Sequence, residues 1–150
     1  FNMNTQYITF KNLEVLDAWI NRPEMLYKGE KRTLLLSEQN PNSVDYSQEA
    51  LDEQAACLAY AMKKVQALPG IDAYIAHSWH DEHFEGGLKT GLRKYPDDPN
   101  DPYGKKRSWF VFRDAGTIQE EKTFEFAKAI IGIENWNEIF QKVETATIDR

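Results

Sequence analysis

The chain has 150 residues, of which 41% are hydrophobic and 13% aromatic, so it can form one packed domain but hardly two. Its 18 basic and 24 acidic side chains leave a net charge of −6, which argues against nucleic acid and anionic membrane surfaces as partners. The one cysteine, Cys57, excludes an intrachain disulfide and a cysteine-rich zinc module, and its alanine-rich surroundings predict a buried, inert thiol. No apolar run reaches the roughly 18 residues of a membrane span, and the first residues lack the pattern of an export signal.

A helix and a strand are predicted in the first quarter of the chain. Apolar residues at helical spacing over 13–20 follow candidate N-caps at Thr9 and Asn12, and Pro23 ends the pattern. The run TLLLSE at 33–38 is too short for a helix and is typical of a strand buried on both faces.

The most regular pattern follows a polar loop. A long helix is expected to begin near Asp45 or Ser47 and to stop at Leu68-Pro69-Gly70. One apolar stripe runs along it, formed by Leu51, Ala55, Leu58, Met62 and Val65.

The second half predicts a strand at 71–79, a long polar loop at 80–107 and a β-like run, SWFVF, at 108–112. A loop of this length inside one domain is uncommon, and such loops often carry function. Capping boxes at Thr117–Glu120 and Asn135–Glu138 predict two further helices. The buried side of the first is expected to hold Phe124, Ala127, Ile130 and Ile131.

The alternation of helices and strands predicts an α/β fold with parallel strands and helical crossovers. Two clear strands and one weaker one do not make a self-sufficient parallel sheet, because such strands need cover on both faces. Either the sequence contains further strands that the apolar pattern does not reveal, or the chain is the end of a larger barrel or sheet. Since the sequence begins with Phe1 rather than Met, we expect residues upstream.

Glu38 is the strongest candidate for chemistry. It is an ionisable residue at the end of the apolar run LLLSE, and active sites of parallel α/β folds form where the strands end. Glu38 could serve as nucleophile, base or acid, or it could only cap a loop amide. Its neighbours Ser37 and Gln39 could hydrogen-bond the carboxylate or substrate hydroxyls.

A second polar cluster, AHSWHDEHFE at 76–85, lies at the other strand exit. Its residue types suit a metal, but their spacing after a strand does not match the helical HExxH arrangement, so we predict a substrate-facing loop and no metal. The candidate ligands are His77, His80, His83, Asp81, Glu82 and Glu85. Trp79 is either a core aromatic, which its spacing favours, or a platform for a sugar ring.

These residues resemble a poorly characterised family of glycoside-hydrolase-like TIM barrels related to the clan A retaining glycosidases. The resemblance covers roughly residues 9–133, and its specific parts are SEQ at 37–39, HSW at 77–79, EGGL at 85–88 and VFRDAGT at 111–117. It implies that the chain is one partial domain over residues 1–150, comprising about strands seven and eight of a (β/α)8 barrel with their helices.

The resemblance assigns roles to individual residues. Glu38 would be the nucleophile at the end of strand seven, and Trp79 would form the floor of the sugar subsite at the end of strand eight. A non-proline cis peptide bond is expected between Ser78 and Trp79. Asn40-Pro41 and Ser78 depart from the family pattern, which affects the expected substrate contacts but not the glutamate.

Retaining hydrolysis also needs an acid/base carboxyl group about 5–5.5 Å from the nucleophile. In the resembled barrels this group is a glutamate at the end of strand four, which has no counterpart in this sequence. We therefore expect these 150 residues alone to be inactive on aryl glycosides.

Three hypotheses follow. The leading one is a fragment of a carbohydrate-active barrel that cleaves β-linked sugars, with Glu38 as nucleophile and with Trp79, His77, Asp81 and Gln39 binding substrate. The second is a non-catalytic carbohydrate-binding or interaction module of the same fold. The third is a metal-dependent hydrolase centred on the histidines.

The expected partner is a carbohydrate, with no cofactor and neither nucleic acid nor membrane. Unpaired strand edges would favour self-association if the chain folds alone. An enzyme that acts on polysaccharides is usually exported, so we expect a secreted or periplasmic protein whose signal lies upstream.

Overall fold

The computed structural model describes residues 2–144. The fold contains four α-helices, two strands and three short 3-10 helices within this range. In chain order the elements are a 3-10 helix at Phe10–Asn12, α1 at Leu13–Ile20, a 3-10 helix at Pro23–Met25, β1 at Leu35–Gln39, α2 at Gln48–Ala67, β2 at Ala73–Ala76, α3 at Arg107–Asp114, α4 at Glu120–Ile131 and a 3-10 helix at Trp136–Ile139.

The two strands form a parallel pair, with α2 as the crossover between them. Leu35 lies opposite Ala73, and Gln39 lies opposite Ala76 after an irregularity in the register. Parallel neighbours require such a crossover, and the predicted order of helix, strand, helix and strand is confirmed here. Residues 2–144 form no closed barrel, so the eight-stranded barrel stays a prediction.

The prediction that β1 is buried on both faces is wrong. Leu34 and Leu36 pack on a small core of Leu13, Leu68 and Ile71, but Leu35 is 50% exposed. On β2, Ile75 is 47% exposed. Among the described residues helices cover one face of this sheet only, so alternate side chains of each strand remain in contact with solvent.

The long helix α2 is confirmed, and it forms one side of the main core. The Ser47 side chain caps its first turn by accepting a hydrogen bond of 3.3 Å from the Ala50 amide. The small side chains Ala55, Ala56 and Ala59 are fully or almost fully buried, which lets α3 and α4 approach closely. No helix within residues 2–144 is both long and apolar enough to cross a membrane.

The prediction of a β-like run at 108–112 is wrong, because these residues form most of helix α3. Ser108 and Val111 are buried at helical spacing, whereas Phe110 and Phe112 are 38% and 37% exposed. A short apolar run fits a strand and a buried helix segment equally well, and packing against α2 and α4 decides for the helix.

Helical segments follow both predicted capping boxes, but only the second box forms. At the first, the N-cap of α4 is Gln119 without a side-chain cap, and Glu120 accepts a hydrogen bond of 2.5 Å from the Gly116 amide instead of the Thr117 amide. The helix α4 buries Phe124 and Ala127. Ile130 was expected on the buried side but is 45% exposed. In the second, Asn135 and Glu138 cap the 3-10 helix at Trp136–Ile139 reciprocally.

We expect Phe124→Ala to lower the free energy of unfolding by about 3–5 kcal/mol, because this fully buried side chain would leave a cavity. Phe84→Ala is the matched control, since Phe84 is 96% exposed and its loss should change stability by about 0.5 kcal/mol or less. Urea denaturation followed by circular dichroism measures both. Equal losses from the two substitutions would contradict this placement of the core.

Candidate functional site

Glu38 lies at the carboxyl end of β1, and its side chain faces an open pocket of about 340 Å³. The pocket is lined by Glu38, Asn40, His77, Glu85, Leu88 and Thr90. Glu38 is exposed, and no described residue donates a hydrogen bond to its carboxylate or forms an ion pair with it. The predicted nucleophile is therefore an unpaired carboxylate at a strand exit.

His77 brings the second strand into the same pocket. It directly follows β2, and its amide donates a hydrogen bond of 2.9 Å to the carbonyl of Gln39 at the end of β1. Its Nε2 atom lies 2.6 Å from Oε1 of Glu85. The predicted site residues Glu38 and His77 thus meet where two parallel strands end.

Glu85 is a pocket residue that sequence reasoning considered only as a metal ligand. Its carboxylate contacts His77, and directly after it the chain turns at Gly86 and Gly87, which have φ angles of 61° and 87°. Glycine adopts such angles without the steric cost that a side chain imposes. In the sequence, the Gly-Gly pair in EGGL indicates a turn after Glu85. It does not indicate that Glu85 pairs with His77, which only the structure shows.

Asn40 lines the pocket and links its neighbouring segments by two side-chain hydrogen bonds. Its Oδ1 atom accepts a hydrogen bond of 3.1 Å from the Tyr74 hydroxyl, and its Nδ2 atom donates one of 2.8 Å to the Thr90 carbonyl. These bonds join the loop after β1 to β2 and to the long loop. Asn40 therefore has a structural role at the point where the sequence departs from the family pattern.

Gln39 faces a second open pocket, of about 400 Å³, which Glu38 also lines. This pocket lies against Phe10 and Leu36. Gln39 is thus close to the nucleophile candidate, as predicted, but it does not line the pocket that contains His77.

Asp81 was predicted to bind substrate, and its position does not support that role. The residue is 1% exposed, and its carboxylate accepts hydrogen bonds from Tyr46, Gly91 and Lys106 at 2.7–2.8 Å. A carboxylate enclosed by its own protein in this way has no face left for a ligand. Nothing in the sequence marks Asp81 as different from its exposed neighbours.

The Asp81–Lys106 ion pair connects the two ends of the long loop. Both side chains are fully buried, and Lys106 also donates a hydrogen bond of 3.0 Å to the carbonyl of Lys89. Burial lowers the pKa of Lys106, and burial together with the hydrogen bond to Asp81 raises the pKa of Tyr46. The Tyr46 hydroxyl also accepts a hydrogen bond of 3.1 Å from the Tyr95 amide.

The expectation that Trp79 is a core aromatic is wrong, since this residue is 59% exposed. It borders an apolar groove next to β2, together with Ile75, Leu92 and Phe112. The expected cis peptide bond is also displaced by one residue, because it joins His77 to Ser78 and not Ser78 to Trp79. Neither bond precedes a proline, so the residue types do not distinguish them.

The three histidines point to separate carboxylates, so they do not form one metal centre. His77 contacts Glu85, while the other two pairs are His80 with Glu82 at 3.2 Å and His83 with Asp97 at 2.8 Å. Within residues 2–144 no three side chains of metal-ligating type converge. The metal-dependent hypothesis receives no support from this arrangement.

Cys57 is exposed on α2, which corrects the prediction of a buried thiol. Protein atoms packed around the sulfur nevertheless raise its pKa above the ordinary value. The thiol is therefore protonated at neutral pH and remains a weak nucleophile, as expected.

We expect Asp81→Asn to lower the free energy of unfolding by about 3–5 kcal/mol, because it leaves the buried Lys106 charge without its partner. The double variant with Lys106→Met should lose less than the sum of the two single variants, since it removes both charges. Chemical denaturation of the four proteins gives the coupling. Asp97→Asn is the matched control in an exposed pair and should leave the unfolding midpoint unchanged, whereas additive losses at 81 and 106 would contradict the buried pair.

Comparison with known proteins places the chain in a family but assigns no activity. Residues 1–139 match a family of unknown function, DUF5722. No curated protein and no solved structure matches the chain. Because the match covers most of the sequence, the chain belongs to the DUF5722 family of unknown function.

Proposed function

We propose that this chain is the nucleophile-bearing part of a glycoside hydrolase-like barrel that cleaves β-linked sugars with retention of configuration. The observation that carries the proposal is the position of Glu38, an unpaired carboxylate at the end of β1 in an open pocket shared with the end of β2. In parallel α/β folds, this edge of the sheet is where substrates bind.

The state of Glu38 fits nucleophilic attack. Every histidine in the described chain has a carboxylate neighbour, and Asp81 is saturated by three donors, whereas Glu38 has no described partner. An exposed carboxylate that accepts no hydrogen bond keeps its oxygen lone pairs free for an electrophile.

In the proposed reaction, a Glu38 oxygen forms a bond to the anomeric carbon while the bond to the leaving oxygen breaks and that oxygen receives a proton from an acid. Water then attacks the anomeric carbon of the glycosyl-enzyme, gives its proton to the same group, now acting as base, and releases Glu38. The resemblance implies that this acid/base is a glutamate of an earlier strand.

The proposed substrate contacts lie in the Glu38 pocket and in the groove that Trp79 borders. His77 borders it beside Glu38, and Glu85 holds the imidazole in place, so His77 can hydrogen-bond a sugar hydroxyl. Trp79 exposes more than half of its side chain, which suits a platform for the apolar face of a sugar ring. Asp81 supports this arrangement from the interior instead of touching the substrate.

The sheet is compatible with a larger parallel barrel. Among the described residues each strand has one neighbour, and the exposed Leu35 and Ile75 leave one sheet face uncovered. Further strands would pair with the open edges and shield these side chains from water.

A non-catalytic carbohydrate-binding module is the second candidate. It is favoured by the pairing of Glu85 with His77, which leaves no unpaired second carboxyl group in the pocket among the described residues. Binding of oligosaccharides by the full-length protein, without turnover, would support this candidate against the hydrolase.

We expect Glu38→Gln in the full-length protein to lower turnover of 4-nitrophenyl β-glycosides by roughly a thousand-fold or more, because an amide cannot form the glycosyl-enzyme. The unfolding temperature should not change, since Glu38 has no described partner to lose. Steady-state assays and thermal unfolding measure both quantities.

The control is Glu53→Gln, the same change at an exposed position on α2, which should keep full activity. Azide should partly restore turnover to Glu38→Ala, because a small anion can attack the anomeric carbon from the space left by the carboxylate. Undiminished activity of Glu38→Gln would refute the assignment.

A further inference from the structure

A cluster of cations and tryptophans lies beside the proposed sugar platform. The Arg93 guanidinium is 5.1 Å from the ring centre of Trp79 and 5.7 Å from that of Trp109. The Lys105 ammonium is 4.1 Å from the ring centre of Trp109. Two positive charges thus stand next to an exposed aromatic surface, although the chain as a whole is acidic.

Neither cation has an acidic partner among the described residues. The carboxylates around the cluster are engaged elsewhere in ion pairs. These pairs are Asp81 with Lys106, Glu82 with His80, Asp101 with Lys94 and Asp114 with Arg113. The unbalanced positive charge is therefore concentrated on Arg93 and Lys105.

Arg93 is fixed in place before any ligand arrives. Its Nη1 atom donates a hydrogen bond of 2.9 Å to the Tyr103 carbonyl, and its backbone bridges to both His80 and Lys105. Its Nε atom is buried and has no hydrogen-bond partner within the described chain. A guanidinium held in this way loses little conformational entropy when it binds an anion, and its fork of donors matches a planar oxyanion.

We propose that Arg93 and Lys105 bind an anionic group of the saccharide that stacks on Trp79, so that the substrate is an acidic sugar. The proposal rests on the role of Trp79 in the proposed function and adds the substrate class. A carboxylate at C6 of a uronate and a sulfate ester share the required chemistry, because both present oxygens to charged donors while the ring keeps an apolar face.

The site is too small for a polyanion that binds by charge alone. It has two free cations, and the acidic residues Glu82 and Asp101 are paired close beside them. Recognition must therefore combine the charge with stacking on Trp79. Acidic oligosaccharides satisfy both requirements. Nucleic acid, in contrast, would be repelled by the overall negative charge of the protein.

The test is isothermal titration of the full-length protein with matched saccharide pairs. Two pairs differ only at C6, β-1,4-tetramannuronate with mannotetraose and β-1,4-tetraglucuronate with cellotetraose. A third pair, chondroitin 4-sulfate tetrasaccharide with its desulfated form, detects a sulfate site. We expect the uronate or the sulfated member of at least one pair to bind about tenfold more tightly or better than its partner, with an advantage that shrinks as salt is raised.

Lys105→Gln and Arg93→Gln should each reduce this advantage several-fold without changing the affinity for mannotetraose or cellotetraose. Lys105→Gln is the safer variant, because no described hydrogen bond of the fold uses its ammonium group. Lys122→Gln, the same change at an exposed position on α4, should have no effect. Trp79→Ala should weaken binding of both members.

Equal affinities within all three pairs would overturn the proposal, as would an acidic preference that survives both charge substitutions. The outcome is independent of the nucleophile assignment. Turnover confined to neutral glycosides with loss in Glu38→Gln would refute the acidic sugar alone. Acidic binding that depends on Arg93, combined with undiminished turnover in Glu38→Gln, would refute the nucleophile alone.

Discussion

The buried ion pair between Asp81 and Lys106 is the interaction on which the proposed site depends. The chain between β2 and α3 contains no helix or strand of its own, and only isolated backbone bridges, such as those of Arg93 to His80 and Lys105, support its conformation. Two charges removed from water are tolerable only when each satisfies the other, and Tyr46 and the Gly91 amide complete the bonding of the carboxylate. Because this arrangement has few alternatives, it holds the long loop in one place.

The carboxylates near the proposed site are of two kinds, those of the long loop and Glu38. Most of those in the loop are paired with cations or imidazoles, as the pairs at His77 and His83 show, whereas Asp98 accepts only backbone hydrogen bonds. Glu38, which comes from a strand end and not from the loop, stays unmatched. A carboxylate without a partner contributes little to stability, so Glu38 is free for the proposed role in an open pocket.

The two proposals concern two different openings near the end of β2. His77 faces the pocket of Glu38, whereas Trp79, two residues later, borders the groove beside Ile75 and approaches Arg93. A saccharide that extends past the end of this strand could reach the nucleophile with one ring and the cations with another. The chemistry would then be set by the end of β1 and the choice of substrate by the long loop.

The sequence by itself determined the elements whose signals are local. The apolar stripe and Ser47 cap of α2, the capping box of the last helical segment and the position of Glu38 at a strand end all depend on residues a few places apart. Only the tertiary structure decided that the run SWFVF is helical, since packing against α2 resolves what spacing leaves open. It also decided that Asp81 is buried and that Trp79 is exposed. These outcomes depend on partners such as Lys106, 25 residues away, and no local pattern encodes a contact of that range.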